Sequence, residues 1–118
     1  MKLNTNPLAA FAAVLALFAS VPLPAVADVT EAQIAAAKTP ADHEAIAKAY
    51  EADAATADAK AKEHEAMART YRSTGGPKSH TNSMVRHCER LVKDYTDAAA
   101  NYRALAAEHR GMAKDTAK

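Results

Sequence analysis

The chain has no tryptophan, and both of its phenylalanines, Phe11 and Phe18, fall in the first twenty residues. Three glycines, five prolines and a single cysteine complete the scarcities. Few β-branched and aromatic residues remain to build strands, which speaks against a sheet-based enzyme. One cysteine excludes an internal disulfide framework and any Cys-x-x-Cys site, including covalent haem attachment. At 118 residues the chain is too short for several domains. What it has in abundance is alanine, 32 of the 118 residues. The 49% hydrophobic fraction therefore describes no ordinary core.

The first 27 residues have the layout of a secretory signal peptide. Lys2 is the positive start, Leu8 to Ala19 an apolar run of twelve residues, and Ala25-Val26-Ala27 a small-x-small cleavage site before Asp28. Twelve residues of helix span about 18 Å, short of the ~30 Å hydrocarbon core. Residues 1–27 thus predict cleavage after Ala27, a periplasmic or secreted protein, and no stable membrane anchor thereafter. Removing Lys2 leaves fourteen basic against fourteen acidic side chains. A neutral balance speaks against nucleic-acid binding and against a polybasic grip on lipid.

In the remainder, Thr30-Glu31-Ala32-Gln33 is a capping box that predicts a short helix within 28–38. Thr39-Pro40-Ala41-Asp42 is a second start, with Thr as cap, Pro at the first helical position and Asp at the positive helix end. Alanine is the best helix former, and nothing breaks the pattern before Arg72. Glu44–Lys48, Asp58–Lys62 and Glu65–Arg69 are i,i+4 pairs in the favourable order. Residues 73–81, with Gly75-Gly76-Pro77 inside, form a turn, and a second helix is expected over 82–114, with Glu89–Lys93 in support. Two equal helices of about 50 Å joined by a short turn predict an all-α antiparallel hairpin over 39–118.

The second helix carries a 4-3 stripe: Met84, Cys88, Leu91, Tyr95, Ala98, Tyr102, Leu105, His109 and Met112. The first gives His43, Ile46, Tyr50, Asp53, Ala57, Lys60, His64, Met67 and Tyr71, interrupted by two charges, beside a cleaner line of Ala47, Ala54, Ala61 and Ala68. Folding the stripes together pairs Tyr71 with Met84, Met67 with Cys88, Tyr50 with Leu105 and His43 with Met112. Tyr95 then meets Lys60, and Tyr102 meets Asp53. So little large apolar surface cannot order the chain as one hairpin. Either residues 30–38 pack back as a third helix or two hairpins dimerise into a four-helix bundle. The second is favoured here, because Val85, Val92, Ala99 and Ala106 lie outside the expected seam.

His43-Glu44-Ala45-Ile46-Ala47-Lys48-Ala49-Tyr50 recurs three heptads on as His64-Glu65-Ala66-Met67-Ala68-Arg69-Thr70-Tyr71, with a partial copy from His109. Every histidine and the cysteine gather toward the hairpin's two ends. The loop end offers His64, Met67, Met84, His80, His87 and Cys88; the far end offers His43, His109 and Met112. Thioether, thiolate and imidazole suit copper, and imidazole also suits zinc. The competing account is a seam in which Met fills gaps and His sets register. The two His-Glu starts lack a second His four residues on, which excludes a zincin protease. His87 points about 100° away from Cys88, so nucleophilic catalysis has no base beside the thiol. A lone thiol in an oxidising compartment also suggests pairing between chains.

The run His87-Cys88-Glu89-Arg90-Leu91-Val92-Lys93-Asp94-Tyr95, with Leu105-Ala106-Ala107-Glu108-His109-Arg110-Gly111-Met112-Ala113, resembles small Ala-rich exported proteins of proteobacteria that have no assigned function. The likeness spans Thr39 to Lys114. It implies export and a helical hairpin, and brings no activity with it. Periplasmic helical-hairpin stress chaperones are a looser architectural parallel, without their signature motifs here. The sequence therefore predicts a non-enzymatic structural or protein-interaction module, forming a homodimer or binding a protein partner, with copper or zinc binding as the second possibility.

Overall fold

The computed structural model describes residues 28–74 and 76–118. The expected signal segment lies outside them. Three helices follow in order: α1 (Glu31–Ala36), α2 (Pro40–Ser73) and α3 (Lys78–Thr116). No strand occurs among the described residues, and α2 and α3 pack along their length as an antiparallel hairpin.

Both expected capping boxes form. The Thr30 hydroxyl accepts from the Gln33 N–H while the Gln33 side chain accepts from the Thr30 N–H. Thr39 and Asp42 do the same at α2, where Asp42 also accepts from the Lys38 N–H. These backbone donors, and the Thr39 hydroxyl, hold the Asp42 carboxyl below its usual range.

The turn is tighter than expected. α3 begins at Lys78 rather than residue 82, so His80 lies in its first turn and not in a loop. Pro77 has φ −56°, already suited to a helix start, and its carbonyl accepts from the N–H groups of His80 and Thr81. No residue from Lys78 to Asn82 opposes helix.

The seam also differs from the expected one. Buried positions on α2 are His43, Ile46, Ala47, Ala54, Ala57, Ala61 and Ala68; on α3 they are Val85, Cys88, Ala99, Ala106 and His109. One half of each expected stripe holds: His43, Tyr50, Ala57 and His64 on α2, and Cys88, Tyr95, Tyr102 and His109 on α3. Of the other half Ile46 stays buried beside Ala47, while the rest moves by one residue, to the Ala54/Ala61/Ala68 line and to Val85/Val92/Ala99/Ala106. Ala54, Ala57 and Ala99 form the central cluster, with Tyr95, Ala98 and Tyr102 against it. This choice removes Asp53 and Lys60 from the seam, where unpaired charges would be costly. It also lets the backbones approach over methyl groups.

The pairing shifts accordingly. His43 meets His109 instead of Met112, and Tyr50 stacks on Tyr102 instead of meeting Leu105. Val85, Ala99 and Ala106, the residues that argued for a second hairpin, are consumed inside the first. α1 folds back beside α2: Val29, Gln33, Ala36 and Ala37 line a shallow recess with Ala45, Ile46 and Ala49. None of its helical residues is buried, however.

Candidate functional site

The seam has two unlike edges. One is the line of alanines and valines. The other is a ladder of rings, and the repeated His-x6-Tyr unit builds it. His43 and Tyr50 stand seven residues apart, as do His64 and Tyr71, and Tyr95, Tyr102 and His109 recur at seven on α3. Seven residues return a side chain to the same face, so rings of the two helices meet in sequence. The Tyr50 and Tyr102 centroids are 6.2 Å apart and nearly parallel. Tyr50 also leans on His109 at 5.8 Å, and His64 stacks on Tyr95 at 5.6 Å. Tyr102 and Asp53 line one groove with Tyr95 and Lys60, so both expected pairs are neighbours, but the phenol rings stack on Tyr50 and His64 and no hydrogen bond joins either pair among the described residues.

At the far end the ladder closes on His43 and His109, with Nδ1 atoms 3.2 Å apart. They are 8% and 7% exposed and are the only buried polar side chains among the described residues. One Nδ1–H must donate to the other Nδ1, so the pair cannot hold two full imidazolium charges there. Burial first, and then the neighbouring His43, push His109 below the usual histidine range. Met112, expected to join this end, is largely exposed.

At the loop end Cys88 is a buried free thiol, while Met67, Met84 and His87 are exposed. The His64 Nδ1 is buried with no hydrogen-bond partner. Among the described residues, no three His, Cys, Asp or Glu side chains gather where they could hold a metal ion.

The hairpin's two outer faces contrast. Cross-helix ion pairs line one: Arg110 with Glu51 at 2.5 Å and with Glu44 at 3.7 Å, Arg103 with Asp58, and Arg72 with Glu89. Glu44, Asp58 and Glu89, expected to pair along their own helices, reach across to arginines instead. The guanidinium fork suits such carboxylate contacts. Arg110 accordingly holds Glu51 below the usual carboxylate range.

The opposite face is apolar at its edge. Met84, Leu91, Leu105 and Met112 stand 37–47% exposed, with Ala98 completing the heptad line and Met67 across from it on α2. Between the helices lies an open groove of about 180 Å³ lined by Asp53, Ala57, Lys60, Tyr95, Ala98 and Tyr102, with Asp28 above it. Asp53 is raised above its usual range, chiefly by burial and then by Asp28. The stripe of large residues was visible in the sequence, but as core. Its true position depends on the alanine line winning the seam. No family model, curated protein or solved structure matches the chain.

Proposed function

We propose that this protein is an exported helical interaction module that acts without catalysis, and that its hairpin completes a four-helix bundle with a second copy. The observation that carries this reading is the exposed heptad line Met84, Leu91, Leu105 and Met112. A seven-residue repeat of large apolar side chains on a helix edge is what a partner helix packs against. Grouped exposure of this kind marks an interaction surface, whereas scattered exposure does not. The opposite face is capped by ion pairs and, among the described residues, offers no comparable stripe.

Export rests on residues 1–27, with cleavage after Ala27 and the periplasm as destination. The expected mature N-terminus is Asp28, which intact mass of the periplasmic protein checks directly.

Sedimentation equilibrium tests the association. The mature chain should sediment as a dimer at micromolar concentration, and Leu91→Glu with Leu105→Glu should return it to monomer with helix content kept. Replacing Arg103 by Glu on the other face should leave the dimer intact. A wild-type chain that stays monomeric at high concentration contradicts self-association. It would leave a different protein as the partner of the same stripe.

A further inference from the structure

We propose that His43 and His109 form a two-imidazole chelate for a borderline divalent ion such as zinc, joining α2 to α3 at the open end of the hairpin. Two nitrogens bound to one tetrahedral ion at ~2.0–2.1 Å lie about 3.3 Å apart. The Nδ1 atoms already stand at 3.2 Å. They come from residues 66 apart in sequence, so the two helices hold the spacing before any ion arrives. Their ring centroids are 5.4 Å apart, which means that the rings meet almost end-on. Admitting an ion between the lone pairs needs each ring to swing by about 35° from that line, to the tetrahedral bond angle. The terminal torsion of histidine is soft enough to allow it.

The proton balance is simple. The balance starts from two neutral rings with one Nδ1–H shared between the facing Nδ1 atoms. Binding requires that proton to leave Nδ1 while the same ring takes one up at Nε2 from water. Both rings are then Nε2–H tautomers with Nδ1 lone pairs on the ion, and no net proton is released. Solvent supplies the remaining ligands.

The surroundings tolerate the added charge. Arg110, next to His109 in the chain, is engaged by Glu51 and Glu44. With imidazole alone as protein donor, the site suits zinc, nickel or copper(II) better than copper(I), which the thioethers and thiol of the other end would favour.

Zinc chloride titrated into the full mature chain at pH 7.5 tests this. One ion per chain should bind saturably in calorimetry. His43→Gln and His109→Gln should each weaken it at least tenfold, while His64→Gln, Cys88→Ser and Met112→Leu should leave it unchanged. Imidazole resonances of the wild-type protein give a second readout that needs no variant to fold: only the His43 and His109 signals should move on zinc addition. Absence of saturable binding overturns the proposal. So does binding that survives both far-end variants, or that shifts the His64, His80 or His87 resonances instead.

Discussion

Asp53 shows how one residue records the choice of seam. At a core position its carboxylate would face the opposing helix; the observed packing moves it to the rim of the tyrosine groove. There it is still desolvated, and Asp28 stands nearby, so its proton is held more tightly than in the unfolded chain. The neighbouring Lys60 gives no relief through a hydrogen bond, because its ammonium is committed to Glu63 at 2.9 Å. A carboxyl raised on folding opposes stability at neutral pH. That penalty is relieved as pH falls through the folded-state pKa, since the folded chain then binds more protons. It is gone below the unfolded value of about 3.9. Asp53→Asn should therefore raise the melting temperature at pH 7. The gain should be no more than about 4 °C, because a substitution outside the core usually changes stability by about 0.5 kcal/mol or less. The difference should shrink to nothing near pH 3. Melting curves followed by circular dichroism at the two pH values decide it; an equal gain at both would mean that the charge is not the cause.

Elements were legible wherever local chemistry decides them. Thr30, Thr39 and Pro40 announce their helices because a cap is satisfied within four residues of itself. The end of α2 was readable from Gly75-Gly76-Pro77, whereas the start of α3 was misplaced because Pro77 opens that helix as well as closing the turn. The seam was half legible. A heptad pattern gives one line of the interface without ambiguity, here Tyr50, Ala57 and His64 against Cys88, Tyr95 and Tyr102. The other line has two neighbouring choices, and residue size points to the wrong one. Leu91 and Leu105 are larger than Val92 and Ala106, yet closer backbones and the exclusion of Asp53 and Lys60 favour the smaller set. For the same reason His43 and His109 were placed at one end of the hairpin but not in contact. Their meeting depends on a register that only the corrected seam supplies. Substitutions can separate the two seams. Ala99 is fully buried, so Ala99→Leu should overpack the interface and cost about 1–3 kcal/mol. Leu105→Ala leaves the hairpin seam untouched and should cost less than the ~2–5 kcal/mol of a core leucine, measured by urea unfolding at a concentration where the chain is monomeric. The opposite ranking would restore the leucine seam.

At the scale of the whole molecule the hairpin is an incomplete solution to burial. Its buried apolar residues are mostly alanines, each removing little surface from water, and among the described residues no large side chain is fully buried. Cross-helix ion pairs such as Arg103–Asp58 and Arg72–Glu89 are solvent-exposed, and pairs of that kind contribute little to stability. α1 adds a flank without adding a buried residue. Meanwhile Met84, Leu91, Leu105 and Met112 keep their large side chains in water along one edge. Covering that edge with its own copy would bury the side chains the hairpin leaves out. Association that favours the folded form stabilises it by mass action. The melting temperature should therefore rise with protein concentration. For a dimer whose unfolding releases two chains, a hundredfold increase adds about 2.7 kcal/mol per dimer, the mass-action value for that factor. In a two-state dimer of this size that is a shift of several degrees. The Leu91→Glu, Leu105→Glu double variant should melt at one temperature across the same range, and at or below the lowest wild-type value. A wild-type melting temperature that does not move with concentration would mean that the hairpin stands alone in solution and that its exposed stripe serves a different partner.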